Sequence, residues 1–162
     1  MGVSPHRNPM REAFTARDLD QMEAALADDV VLRSPIFSVP FEGKAEVLRL
    51  FAALYEALGE MEYVLDEGGD PAVFAWRTDI DGEPLEGVDL VRYDADGKIR
   101  EVTVFMRPLR GIAAFADAMA PRLGEGRARQ ALLRIAGAPP SLMMRALAGV
   151  GPRLVGVGRK RD

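Results

Sequence analysis

The chain lacks the residues on which most metal sites and nucleophilic catalytic sites depend. Its 162 residues include no cysteine and a single histidine, His6. Without cysteine there is no disulfide, no thiolate nucleophile and no cysteine metal site. One histidine close to the N-terminus leaves no basis for a histidine-dependent triad or an ordinary zinc site. We therefore expect neither a bound metal nor a cofactor.

Long apolar runs and a secretory signal are also missing. No stretch approaches the roughly 20 apolar residues that a membrane-spanning helix needs, and the first residues do not resemble a signal peptide. Apolar residues make up 48% and charged residues 28% of the chain, as in ordinary globular proteins. We expect a single folded domain in the cytoplasm, with a sizeable core.

Charge is distributed unevenly along the chain. The overall net charge is −4, but residues 122–162 carry nine Lys or Arg and two Asp or Glu. This predicts a main domain over residues 1–121 and a basic helical extension over residues 122–162. We favour packing of the extension on the main domain or on a partner subunit. A disordered appendage and contact with an anionic membrane surface are the alternatives. The acidic main domain argues against nucleic-acid binding.

The most informative part of the sequence is the stretch from Pro71 to Arg107. It contains three runs rich in β-branched and aromatic residues, at 72–80, 85–93 and 99–107. Asp81-Gly82 and the segment 94–97 separate them, and both have the composition of turns. The pattern predicts three consecutive antiparallel strands.

The loop lengths predict which side chains share a face. A four-residue loop at 94–97 places Asp89 opposite Val102. One face then carries an aspartate and four apolar residues: Asp89, Val91, Val102, Val104 and Met106. An ionised carboxylate in apolar surroundings is costly, so Asp89 is expected to be either paired or neutral.

The first of the two hairpins has two possible registers. A three-residue loop (81–83) would place Ala75, Arg77 and Asp79 on the Asp89 face, whereas a two-residue loop would place Phe74, Trp76 and Thr78 there. We favour the three-residue loop, because Arg77 could then pair with Asp79 or Asp89. The opposite face would be strongly apolar, and this predicts a homodimer through it or cover by the extension. Its residues would be Phe74, Trp76, Val88, Leu90, Thr103 and Phe105.

The order of elements resembles a known family. Helical patterns that begin at Asn8-Pro9 and Asp18 precede a short strand, a clear helix after Gly43 and four antiparallel strands. Together with the phrases at 26–30, 41–44 and 87–99, this order resembles the SnoaL-like, nuclear-transport-factor-2-like superfamily over about residues 8–120. Ketosteroid isomerase, limonene-epoxide hydrolase and polyketide cyclases belong to it. The resemblance implies an α+β cone, in which a curved antiparallel sheet wraps around N-terminal helices and encloses a pocket.

The chain matches ketosteroid isomerase at one of that enzyme's three catalytic positions. Asp89 falls where that enzyme has a protonated aspartate that donates a hydrogen bond to the substrate. Ser34, before Pro35, stands at the place of the general base, and Met10 stands at the place of the oxyanion tyrosine. These two replacements argue against steroid-isomerase chemistry.

Limonene-epoxide hydrolase is matched in a different part of its site. Its Arg-x-Asp motif is similar to Arg77-Thr78-Asp79, but Val104 stands where it has a second aspartate. Asp89 on the neighbouring strand could take over as the proton donor.

The predicted function is a pocket for a small, largely apolar molecule that carries an oxygen. In a cofactor-independent isomerase, cyclase or hydrolase, Asp79 would be the base, Asp89 the acid and Arg77 the residue that orients them. Ser34 would contact the ligand, and the walls would be Val91, Val102, Val104 and Met106. The alternatives are a binding module without turnover and a protein-assembly domain.

Overall fold

The computed structural model describes residues 8–37 and 39–123, so His6 and the basic extension from residue 124 onward lie outside it. The elements, in chain order, are α1 (Pro9–Ala16), α2 (Leu19–Ala25), β1 (Leu26–Arg33), β2 (Phe41–Glu42), α3 (Lys44–Ala57), β3 (Glu62–Glu67), β4 (Ala72–Ile80), β5 (Glu83–Tyr93), β6 (Ile99–Arg107) and α4 (Leu109–Met119). Among the helices in these ranges, none has the length and apolar character needed to cross a bilayer.

The strands form one six-stranded sheet in the order β2-β1-β6-β5-β4-β3. All neighbours are antiparallel except β1 and β6, which run parallel. The helices pack against the inner face of this curved sheet, and the core lies between them. Its largest fully buried side chains include Met22, Leu26, Phe51, Phe74 and Leu85. The predicted α+β class and its curved, mainly antiparallel sheet are confirmed.

The first two helices begin at the residues that the sequence indicates. The Asn8 side chain accepts a hydrogen bond from the Arg11 amide at 2.9 Å. The Asp18 side chain accepts one from the Gln21 amide at 3.0 Å. Each bond satisfies an amide that the first helical turn leaves without a partner. These caps fix the residues at which α1 and α2 begin.

The β4–β5 hairpin has the register that we did not favour. Ile80 pairs with Glu83, so the loop has two residues, Asp81 and Gly82. Both have positive φ, 51° and 81°, as the two-residue hairpin turn with the twist of the flanking strands requires. The prediction of a three-residue loop is therefore wrong. Since one residue of slip exchanges the faces of a strand, Phe74 and Trp76 share the inner face with Asp89.

The β5–β6 hairpin differs from the prediction by two residues. Tyr93 pairs with Ile99 instead of Lys98, and an irregularity next to this pair brings Asp89 opposite Val104 instead of Val102. A shift of two residues moves side chains along the strand but keeps them on the same face. Val102, Val104 and Met106 therefore share the inner face with Asp89 as predicted, although the predicted register was wrong.

Candidate functional site

A largely apolar cavity of about 70 Å³ lies between the inner face of the sheet and helices α1, α3 and α4. Its polar side chains come from Ser34, Tyr63, Trp76 and Asp89. Among the lining residues that the structure describes, Asp89 supplies the one carboxyl group. The apolar lining residues include Met10, Phe14, Leu32, Phe37, Phe51, Leu54, Val102, Val104, Met106, Phe115, Met119 and Leu123.

Asp89 is a buried acid in apolar surroundings. It lies in the middle of β5, between Phe74 on β4 and Val104 on β6, and it is only 5% exposed. Its Oδ1 atom has no hydrogen-bond partner among the described residues. Burial disfavours the charged carboxylate and raises the pKa of Asp89 to about 7. Near neutral pH, Asp89 can therefore hold a proton for donation to a bound molecule.

Trp76 brings a second unsatisfied polar atom to this wall. Its indole Nε1 is buried, with no hydrogen-bond partner in the described part of the chain. The nearby indole lowers the pKa of Asp89 and so offsets part of the increase that burial causes. The two side chains nevertheless do not reach hydrogen-bonding geometry. Buried polar atoms nearly always have partners. Among the described residues, the indole Nε1 and the Asp89 Oδ1 are thus two buried polar atoms without partners, both from residues in the wall of this cavity.

Tyr63 is a third polar member of the wall, which the sequence pattern did not predict. It lies on β3 directly opposite Trp76. Burial raises the pKa of the Tyr63 hydroxyl, and the charge of Asp89 raises it further. The correct β4–β5 register would have placed Trp76 on the inner face, but the position of Tyr63 depends in addition on the pairing of β3 with β4.

The residues predicted to contact a ligand are divided between the cavity and the core. Ser34 lines the cavity, and its Oγ accepts a hydrogen bond from the Ile36 amide at 3.1 Å. Three of the predicted wall residues also line it: Val102, Val104 and Met106. Val91 is fully buried on the same face but does not border the cavity.

The structure does not bring Arg77 and Asp79 to Asp89. The two-residue turn places both on the outer face of the sheet, where Arg77 lies opposite Glu86 in the strand register. Asp79 Oδ1 accepts a hydrogen bond from the Gly82 amide at 2.8 Å and so supports the turn. The expected convergence of three polar residues is thus replaced by Asp89, Trp76 and Tyr63. Within residues 8–37 and 39–123, no group of three metal-ligating side chains could hold an ion.

Comparisons with known proteins agree with this architecture. The family model of the SnoaL-like domain matches residues 9–102. A search of curated proteins found no match. Among solved structures, a steroid delta-isomerase from Pseudomonas aeruginosa is 27% identical with a TM-score of 0.66, over 70% of this chain and 85% of the isomerase.

Two further solved structures are similar. A protein with a cystatin-like fold from Silicibacter pomeroyi DSS-3 is 26% identical with a TM-score of 0.68, over 79% of this chain and 91% of that protein. The epoxide hydrolase/cyclase-like enzyme SalBIII, which has a role in pyran ring formation in salinomycin, is 17% identical with a TM-score of 0.51. The similarity extends over 83% of SalBIII and 59% of this chain. The family model spans more than half of the sequence, and the chain belongs to the SnoaL-like domain family.

Proposed function

We propose that the cavity binds a small, largely apolar molecule whose oxygen atom accepts a hydrogen bond from protonated Asp89. The observation that carries this proposal is the Asp89 carboxyl group, 5% exposed and with an unpartnered oxygen, in an otherwise mostly apolar wall. A ligand oxygen would remove the cost of leaving that group unsatisfied. A ketone fits well, because its oxygen accepts hydrogen bonds and the rest of the molecule is apolar.

As an enzyme, the protein would act as a cofactor-independent isomerase or cyclase. Asp89 would be the general acid and would protonate or hydrogen-bond an oxygen on which negative charge develops. The similarity to a steroid delta-isomerase supports this class. The hydrolase alternative loses support, because Arg77 and Asp79, its expected orienting residue and base, lie on the outer face.

A binding protein without turnover is the second candidate. It is favoured by the lining of the cavity, because the described residues there offer Asp89 no second carboxylate to serve as a base. Ser34, at the place of the isomerase base, has no carboxyl group. Its hydroxyl oxygen already accepts a hydrogen bond from the Ile36 amide. A cyclase whose substrate carries its own nucleophile would have less need of such a base than an isomerase.

Titration with fluoroacetone, a ketone small enough for a cavity of about 70 Å³, followed by fluorine NMR, tests the role of Asp89. Binding that needs the protonated acid should weaken about tenfold for each pH unit above about 7. Asp89→Asn keeps an N–H donor and cannot ionise, so its affinity should not change with pH. Asp79→Asn is the matched control on the outer face and should behave as the wild type does. A wild-type affinity that does not change between about pH 6 and about pH 9 would refute the proposal.

Catalysis needs a separate measurement. Exchange of the methyl protons of the same ketone in deuterated water reports proton transfer next to the carbonyl group. Exchange above the buffer rate that is lost in Asp89→Asn would favour the enzyme. Exchange at the buffer rate, together with pH-dependent binding, would favour a binding protein or a reaction of another type.

A further inference from the structure

Strand β3 forms one edge of the sheet and exposes apolar side chains on its outer side. Among the described strands, only β4 pairs with it. Val64 and Leu65 are exposed by 45% and 42%, and Leu65 lies opposite Ala75 on the outer face. Adjacent exposed apolar side chains at a sheet edge are typical of a contact with another segment or chain.

Two negative charges flank this apolar pair. Glu62 begins β3 and Glu67 ends it, and both are exposed. Neither forms an ion pair with a residue in the ranges 8–37 and 39–123, whereas Asp66 of the same strand pairs with Arg11 at 2.6 Å. We call Glu62, Val64, Leu65 and Glu67 the β3 outer surface. A segment that covers it should combine apolar side chains with cations.

The described part of the chain ends near the start of this strand. Leu123 borders the same cavity as Met61 and Tyr63, which lie at the beginning of β3. Arg122 Nε lies 3.6 Å from Oε2 of Glu56, close to the end of α3. Residues 124–126 can span about 10 Å, the usual distance between packed layers. The chain that follows Leu123 can therefore reach the outer side of β3 around the sheet edge.

Residues 127–135 lie outside the described ranges and have the composition that this surface needs. Apolar residues recur there at spacings of four and three, the period of an amphipathic helix: Ala128, Leu132 and Ile135. The segment contains no Asp or Glu, and its cations are Arg127, Arg129 and Arg134. Apolar character and positive charge thus occur together, as they do with negative charge on the β3 outer surface.

We propose that residues 127–135 bind the β3 outer surface of the same chain. Their apolar side chains would cover Val64 and Leu65, and their arginines would pair with Glu62 and Glu67. Exposed ion pairs add little affinity, so burial of apolar area stabilises the contact and the charges select its position. A second copy that associates through Phe105, three strands and about 14 Å away, would meet the segment only at its periphery. The two contacts are therefore compatible.

Alkylation of a single thiol tests this contact in the whole chain. The protein has no cysteine, so Leu65→Cys carries the only thiol, and its reaction with iodoacetamide reports its exposure. Loss of the three arginines of the segment should raise the rate about three- to tenfold, as expected for two or three surface ion pairs. The combined change is Arg127→Gln, Arg129→Gln and Arg134→Gln.

A matched control removes the same charge from the end of the chain and should leave the rate unchanged: Arg159→Gln, Lys160→Gln and Arg161→Gln. The direction of the change also separates release of the segment from a simple electrostatic effect. Removal of nearby cations raises the pKa of a thiol and slows its alkylation, whereas release of the segment makes alkylation faster. Thermal unfolding checks that each variant is folded.

A disulfide locates the contact. Leu65→Cys is combined in turn with Leu132→Cys and with Ile135→Cys, and we expect oxidation to form a bond within one chain in at least one pair. Phe105→Cys with the same partners is the control on the same face. It should form no such bond, because the Cα atoms of a disulfide lie only about 4.4 to 6.8 Å apart.

Three results would overturn the inference. The first is an equal alkylation rate in the two triple variants. The second is a disulfide that forms as readily with position 105 as with position 65. The third is a bond that links two chains instead of one, which would assign the β3 outer surface to a second copy. The proposed function depends on Asp89 and stands or falls separately.

Discussion

The indole ring of Trp76 occupies the space in which a side chain at Gly87 would begin. The two residues are direct partners across β4 and β5, and a Cβ atom at position 87 would lie 2.1 Å from Cζ2 of Trp76. Only glycine leaves room for the ring to lie this close to the neighbouring strand. The orientation of the indole in the cavity wall therefore depends on a residue that itself has no side chain.

Gly87→Ala should displace the Trp76 ring and destabilise the protein. Overpacking of a well-filled core typically costs about 1 to 3 kcal/mol, and urea unfolding would measure this loss. Gly59→Ala is the control, because a Cβ atom there would meet its nearest neighbour, the Asp79 carbonyl oxygen, at an ordinary 3.5 Å. Equal stability of Gly87→Ala and wild type would contradict the prediction.

The stability of the protein should fall as the pH rises toward and past neutrality. An aspartate in the unfolded chain has a pKa of about 3.9, whereas burial raises the pKa of Asp89 to about 7. Between these values the folded state binds one more proton than the unfolded state, so the free energy of unfolding decreases with increasing pH. The contribution of Asp89 should fall by about 2 to 3 kcal/mol between about pH 5 and about pH 8.

Asp89→Asn should remove this part of the pH dependence, since an amide does not titrate. Urea unfolding at the two pH values measures the free energies, and Asp96→Asn in the exposed β5–β6 turn provides the control. The same decline in Asp89→Asn as in wild type would show that other groups are responsible.

Arg17 should contribute to stability by binding the end of α3. Its guanidinium group donates to the carbonyl oxygens of Tyr55, Leu58 and Gly59, the last two at 2.8 and 3.0 Å. Helix ends leave such carbonyl groups without partners. Arg17→Met should lower the free energy of unfolding by about 1.5 to 3 kcal/mol, as expected for charged hydrogen bonds. Arg49→Met should be close to neutral, and similar losses in both variants would contradict this role.

The outer face of the sheet predicts association of two copies of the chain. Phe105 is 55% exposed there, and Val64 and Leu65 of β3 are exposed by 45% and 42%. Burial of these side chains would stabilise a dimer. We expect a homodimer in light scattering coupled to size exclusion, and Phe105→Ser should weaken it. A wild-type monomer would be evidence against this interface.

The sequence predicted the architecture better than the composition of the site. Asn8 and Asp18 are caps whose signal is local, and both helices start where expected. The apolar runs of the strands are long enough to be unambiguous, and the face of Asp89 was correct even with a register that was wrong by two residues.

The faces of Arg77 and Asp79 were mispredicted because of one turn. A possible ion pair of Arg77 favoured the three-residue loop, but the preference of Asp81-Gly82 for a two-residue turn decides the register. One residue of slip removed Arg77 and Asp79 from the inner face and introduced Trp76. Tyr63 was missed for a second reason. Its position on the inner face depends on the pairing of β3 with β4, which the sequence does not reveal. The boundary at residue 121 and the extension remain predictions.

Leu123, the last residue that the structure describes, borders the cavity and is partly exposed. Since the chain contains no cysteine, a cysteine introduced at this position would be the only thiol in the protein. An environment-sensitive fluorophore attached to it would report directly on filling of the cavity. The protein therefore offers a ready scaffold for a single-label optical sensor, with which compound libraries can be screened before any reaction is known.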